Sequence, residues 1–338
     1  MAILITLIGF GIMVFLHELG HFLVAKKFGV LVHEFAIGMG PKLISFGRGE
    51  TQYSLRLIPI GGFVKLEGEG EESKDDDPRS FSNLKPLKRI AILIAGAAMN
   101  IVLGWIIFTI INVNVGITPS VVSSISTDFN SSQNILKPGD EIIRLNSTRT
   151  HTFDDVALFM SRTNGEDINI KYKRNGKTYT DSIKPHKTDA GYKLGVVFSP
   201  QECNVLTGAR YAIYDTIYIS KAVILAVGDL FSGRQNLDAL SGPVEIVTVV
   251  DSVTSQKNSY ALLSVLMLFA MITVNLGIFN LLPFPALDGG SIVFALYELI
   301  FRRKIKQEII GYVGFVGFAL LMLLAVYVTI GDIRALIN

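Results

Sequence analysis

The segment Phe15-Leu-His-Glu-Leu-Gly-His-Phe22 sets two histidines and a glutamate inside an otherwise apolar run. On a helix, His17 and His21 leave the same face about one turn apart, a spacing that lets both imidazoles bind one tetrahedral ion. Glu18 stands beside the first imidazole and can act as acid or base without being a ligand. Each such polar group costs roughly 2.5–3.5 kcal/mol at the centre of a spanning helix, which argues against placement by chance. Histidines that merely pack on a buried helix face are the alternative reading. A hydrolytic zinc site takes three protein ligands and keeps one position open, so a third ligand is required elsewhere.

The stretch NLLPFPALDGGS, Asn280 to Ser291, supplies that candidate in Asp288. Pro283 and Pro285 must break a helix there, since each lacks an N–H and clashes with the preceding turn. Non-helical backbone at membrane depth is tolerated only when buried in protein or lining a wet cavity. Gly289 and Gly290 permit close backbone approach beside the carboxylate. Capping of the following helix, SIVFALYELIF, is the alternative use of Asp288. The lone cysteine, Cys203, excludes an internal disulfide and a Cys-based zinc site, so metal chemistry falls to His, Asp and Glu. His33, His151 and His186 lie in polar segments without a partner at ligand spacing and read as solvated surface groups.

The elements that must carry these residues are those of an integral membrane protein. Half of the 338 residues are hydrophobic and 18% are charged, too apolar for an ordinary soluble domain. A formal net charge of +2 gives no field that points to nucleic acid. Four runs can span a hydrocarbon core of about 20 residues: Met1 to Ala25, Ile90 to Ile111, Tyr260 to Leu282 and Ile309 to Ile330. The first lacks the basic start and small-residue cleavage site of a signal peptide. Lysines and arginines crowd the segment between the first two spans and the cluster Arg302, Arg303, Lys304, Lys306, which places both on the cytoplasmic side. Both termini and the long segment after the second span then lie outside. Nine residues separate His17 from Lys26, roughly 13 Å along a helix, so the site sits within the membrane toward the cytoplasm.

The outer segment is composite. From about Val115 to Pro200 short β-branched runs alternate with turn signals, and FDDVALFMSRT follows an N-cap candidate at Thr152. From about Leu206 to Val253 the pattern is helical; Tyr211, Tyr214 and Tyr218 suit either an interfacial helix or a packed one. The acidic run from Glu67 to Asp77 reads as a solvated loop.

Together these residues resemble the site-2 protease family of intramembrane zinc metalloproteases, nearest its bacterial PDZ-containing, regulator of sigma-E protease-like branch. The resemblance is carried by HELGH near the N-terminus, NLLPFPALDGG in a late span, the four spans and the external segment, and it covers nearly the whole chain. It implies that His17, His21 and Asp288 bind Zn2+ and that Glu18 is the catalytic acid/base. Asn280 is implied in holding substrate or stabilising its transition state, and the break at Pro283 and Pro285 belongs to the same substrate surface. Residues Ile135 to Lys177 resemble the core of a PDZ domain. Gly40 to Glu69, with its GRGE turn, stands where the family has a membrane-associated β-loop. The segment AGAAMN in the second span matches a family pattern with Ala97 in place of the usual proline, and Asn100 is a candidate to line the site or to pack helices.

The expected architecture is therefore an α-helical multi-pass membrane protein with four transmembrane helices, an inserted PDZ-like extracytoplasmic domain and a membrane-associated β-hairpin. Its segments are 1–25, the first span with the zinc motif; 26–89, a cytoplasmic loop with the hairpin; and 90–111, the second span. They continue with 115–200, the PDZ-like domain; 204–258, interfacial helices; 260–301, a broken third span; and 309–330, the fourth. The expected activity is hydrolysis of a peptide bond within single-span membrane substrates, such as anti-sigma factors or signal-peptide remnants, with peptide tails as ligands of the PDZ-like domain. A strand from the Thr51 to Leu66 region, where Tyr53, Leu55 and Leu57 alternate, is expected to offer an edge to an unwound substrate. A catalytically inactive membrane scaffold with a structural metal is the alternative.

Overall fold

A computed structural model describes residues 1–69, 77–126, 135–189, 191–235, 242–256 and 260–337. The chain divides into two compact units, residues 1–104 with 223–338, and residues 105–222.

The first unit opens with α1, Ala2–Lys27, an apolar helix. It stops at Gly29, whose φ of 80° suits glycine, while the Val30 N–H returns to the Ala25 carbonyl at 3.0 Å. Two glycines let neighbours close on α1. Gly9 faces the Phe269 ring of the helix Ala261–Asn280, and Gly20 lies against the Ala95 carbonyl of α2, Pro86–Val115. Pro86 opens α2, where its missing N–H costs nothing.

Between them run β1, Val32–Arg48, and β2, Thr51–Leu66, paired antiparallel and turning at Gly49-Glu50 inside the GRGE segment. The register is folded back on itself: Phe35 aligns with both Val64 and Tyr53, and Tyr53 with both Phe35 and Phe46. Gly38, Gly40 and Gly61, all at φ above 80°, permit the bends. Tyr53 and Leu55 are thus flanked on both sides, and the substrate-pairing edge expected there is not available at those positions. The strand also begins at Val32 rather than near Gly40, because residues 34–37 pair twice. Glu34 is buried beneath the hairpin and accepts hydrogen bonds from Ser54 (2.5 Å) and Arg56 (2.8 Å). Burial raises its pKa, but these bonds and Lys42 outweigh it and hold the carboxyl below the usual range. Met39, Leu43, Ile44, Phe46 and Leu57 point outward.

Past a 3₁₀ turn at Phe81–Asn83 and α2, this unit continues with α5, Pro243–Ser255; α6, Ala261–Asn280; α7, Asp288–Phe301; and α8, Gln307–Ile337. The α5 N-cap, Gly242, has no side chain to offer. Asp332 of α8 replaces it, accepting from the Gly242, Val244 and Glu245 N–H groups at 3.1 Å each. Met13, Val265 and Phe269 form the core where α1 meets α6.

The second unit has a sheet of order β5-β4-β6-β7: Thr148–Arg149, Glu141–Leu145, Ile168–Arg174 and Lys177–Ile183. Two smaller pairs accompany it, β3 (Val122–Ile125) with β10 (Val196–Phe198), and β8 (His186–Thr188) with β9 (Gly191–Lys193). Helix α3, Phe153–Met160, is capped by the Thr152 hydroxyl, which accepts from the Asp155 N–H at 3.3 Å. Leu136, Ile142, Leu145, Ile168, Ile170 and Ile183 fill the core. The unit extends beyond 115–200 because Trp105 and Asn112 of α2 hydrogen-bond to Ala209, Gly208 and Asp215 of α4, Val205–Phe231.

Among the described residues, five helices are long and apolar enough to cross a membrane: α1, α2, α4, α6 and α8. The addition to the expected four is α4, which is the least apolar and carries Asp215, bonded to Asn112, and Lys221, paired with Asp155. Two histidines depart from the solvated reading. His33 lies in β1 at 2.5 Å from Glu67, and His151 stacks on Tyr214 with ring centres 4.1 Å apart. Each was hidden because its partner is distant in sequence. His186 lies in β8. Glu67 is likewise half-buried rather than part of a solvated run; residues 70–76 of that run lie outside the described residues.

Gly20→Leu should drive a side chain into the α2 backbone and cost at least about 1–3 kcal/mol. Thermal unfolding of the purified protein should show a lowered midpoint, whereas Gly11→Leu, at a position open to space, should leave it unchanged.

Candidate metal centre

The fold draws three side chains from two distant segments to one point. His17 and His21 project from α1, and Asp288 is the first residue of α7. Their Nε2 atoms lie 3.2 Å apart, and Asp288 Oδ2 is 3.3 Å from His17 Nε2 and 3.4 Å from His21 Nε2. Both histidines are more than nine-tenths buried. Among the described residues this is the one His/Cys/Asp/Glu group placed to hold a metal ion.

The tautomers follow from the second ring nitrogens. His21 Nδ1 donates to the Ile92 carbonyl of α2 at 2.9 Å, which leaves Nε2 with its lone pair. His17 Nδ1 lies 3.4 Å from the side-chain amide of Asn100, whose Oδ1 is buried and otherwise lacks a partner. With the oxygen turned toward Nδ1, that oxygen is satisfied and His17 Nε2 also becomes a lone pair. Asp288 Oδ2 is buried without a hydrogen bond. Three electron-rich atoms therefore face one another, an arrangement that repels itself unless a cation stands between them.

The separations fit such a cation. An ion about 2.0–2.1 Å from nitrogen and oxygen ligands in tetrahedral geometry holds them about 3.3 Å apart, since a tetrahedron's edge is about 1.63 times its centre-to-vertex distance. The chemistry of the donors, two imidazoles and one carboxylate, suits zinc with a position left open.

The surroundings explain how the atoms converge. Gly96 of α2 seats both imidazoles: a Cβ there would collide with the His21 ring and come within 2.9 Å of His17 Cε1. Ile92, Gly96 and Asn100 recur at helical spacing on one face of α2, a signal present in the sequence but silent until α2 is known to lie behind the histidines. Gly62 of β2 is bare beside Glu18, whose Cγ would lie 3.2 Å from a Cβ added there. Asn280, the last residue of α6, brings its amide 3.4 Å from His17 Nε2. The break follows at 281–287, where Ala286 takes a φ of 73° and Gly289 and Gly290 pack against the Leu282 and Phe284 carbonyls. Pro285 lies against Gly317 of α8, and Pro283 lies within the same break. The N-cap of α7 is Leu287, and Asp288 Oδ2 makes no hydrogen bond to the helix.

Comparison with known proteins supplies the class. Residues 5–324 match the model of peptidase family M50. The chain belongs to this family. It is a peptidase family of the membrane, and the M50 chain is 38% identical over 99% of its length to a candidate zinc metalloprotease of Clostridium acetobutylicum, covering 98% of that protein. It is 30% identical to zinc metalloprotease RasP of Geobacillus kaustophilus over 98% of each chain. It is 29% identical to the regulator of sigma-W protease RasP of Bacillus subtilis, covering 97% of each.

Gly96→Ala in this M50 chain should push the imidazoles off their convergence point. Divalent-metal titration of the purified protein should then show affinity lower by about 10–100-fold, with the helical content unchanged.

Proposed function

We propose that this M50 peptidase is a zinc metalloprotease that hydrolyses a peptide bond within transmembrane segments of single-span membrane proteins, with zinc held by His17, His21 and Asp288. The observation that carries this reading is the meeting of two imidazole lone pairs and an unpartnered carboxylate oxygen at the spacing of a tetrahedral ion. When bound, zinc supplies Lewis acidity, polarising the scissile carbonyl and acidifying the attacking water.

The chain's own groups do the rest. Glu18, adjacent to His17 and braced by Gly62, takes the proton of the attacking water and returns it to the leaving amine. Asn280 has its amide beside the metal centre and hydrogen-bonds the substrate carbonyl where charge develops. Pro283 and Pro285 keep 281–287 out of helix; the Leu282 and Phe284 carbonyls are taken by the Phe284 and Leu287 N–H groups, and the remaining backbone groups of the break are offered to an unwound substrate. Asn100 and Ile92 hold the ligand tautomers.

The site lies on spanning helices, which restricts substrates to segments that enter the membrane. Regulated intramembrane proteolysis, by release of an anti-sigma factor or clearance of signal-peptide remnants, is consistent with that restriction. The Bacillus relative, named for sigma-W, supports the first. In this reading α1, α2, α6 and α8 span and α4, with Asp215 bonded to Asn112 and Lys221 paired with Asp155, does not; the distribution of lysine and arginine then supports both termini and unit 105–222 lying outside. A PDZ-like reading of the unit gives the 640 Å³ groove between α3 and β10, lined by Phe153, Val156, Met160 and Phe198, to peptide tails. An inactive scaffold leaves Glu18 and Asn280 beside the metal without a task.

Glu18→Gln should retain one zinc per chain and lose at least about 10²-fold in turnover of a transmembrane peptide. Full turnover in that variant would remove Glu18 from the mechanism.

A further inference from the structure

Arg89 and Glu298 form an ion pair with side chains only 10% and 14% exposed, joining the first turn of α2 to the last turn of α7. Removing two charges from water is costly, and this pair is incompletely compensated, because Arg89 Nε is buried without a partner. Replacement by apolar side chains would serve packing as well, so the pair is weak as a stability device. Its position gives it another use.

Helix α7 carries Asp288 at its first residue and Glu298 ten residues on, roughly 15 Å along the axis. Helix α2 is the support behind the two imidazoles, through the Ile92 carbonyl, Gly96 and Asn100. The covalent route from α6 to Asp288 is the non-helical stretch 281–287, which packs on Gly289 and Gly290 at the first turn of α7 and leaves the last turn of that helix to be held by other contacts. The ion pair refers α7 to the same helix that holds the imidazoles. A second tie acts just beyond it. Arg302 ends α7 in the left-handed region, and Lys304 then donates to the Ser82 carbonyl (3.5 Å) and Asn83 Oδ1 (3.4 Å), immediately before α2. A cavity of about 200 Å³, lined by Glu69, Arg89, Ser291 and Glu298, lies alongside, so loose packing there does not fix the helix by itself.

We propose that Arg89 and Glu298 are positioning residues for the metal centre, their ion pair setting the height of α7 and with it the distance of Asp288 Oδ2 from the two Nε2 atoms. This rests on the zinc reading above. A helix moves as a rod, so a slip at Glu298 reappears at Asp288. The property that changes is the hold on the metal, while Glu18 and its neighbours on α1 stay where they are.

The test is zinc competition against a chelator on the full-length protein in detergent, below its melting temperature, for wild type, Glu298→Gln and the exchanged double variant Arg89→Glu/Glu298→Arg. The expected result is a loss of zinc affinity of about 10-fold or more in Glu298→Gln, with recovery of most of it in the double variant. Arg89→Lys keeps the charge without the planar fork and replaces Glu298→Gln should that variant fail to accumulate; a smaller loss in the same direction is expected. Unchanged affinity in the single variants, whatever happens to their melting temperature, overturns the proposal, as does a double variant no better than the singles. Wild type that takes up no zinc overturns the metal reading first and this one with it, so the two failures are told apart.

Discussion

Two imidazole lone pairs and one carboxylate oxygen, 3.2–3.4 Å from each other and largely buried, repel unless a cation joins them. The rest of the first unit can be understood as what it takes to hold them there. Burial removes the solvent that would screen the repulsion, and it equally strengthens the attraction to an ion placed among them. The arrangement is therefore poised to bind metal with little reorganisation.

Helix α2 is the common support. It contributes no ligand and no acid or base, yet it fixes one histidine through a backbone carbonyl, the other through an amide, and both through the bare Cα of Gly96. Its contact with α1 is close because Gly20 lets the α2 backbone approach. Small residues where helices meet and polar side chains turned inward are what a membrane allows, since lipid offers polar groups no partner. On the opposite flank Gly62 brings the hairpin against Glu18, the side chain proposed as acid/base.

Much of this could be read from residue order alone. The spacing of His17 and His21, the helix-breaking prolines before Asp288, the GRGE turn and the Thr152 cap are local signals, and each falls on the element that its local chemistry demands. Less local features were silent. Ile92 acts through a carbonyl that every residue has, so nothing in its side chain marks it. The hairpin's double register depends on bends at Gly38, Gly40 and Gly61 that bring residues 34–37 between two stretches of β2. His33 and His151 read as solvated because Glu67 and Tyr214 are far away in sequence. Helix α4 is long enough to span but mixed in character, and length with composition alone does not separate a crossing helix from one bound to its own unit.

Family membership says what class of chemistry to expect; the convergence of the three atoms is the ground for proposing where it happens. X-ray absorption at the zinc edge of the loaded, full-length protein addresses that convergence most directly. The account predicts a first shell of nitrogen and oxygen at about 2.0–2.1 Å with outer-shell scattering from two imidazoles. A zinc with one imidazole or none, or a protein that cannot be loaded, would contradict it.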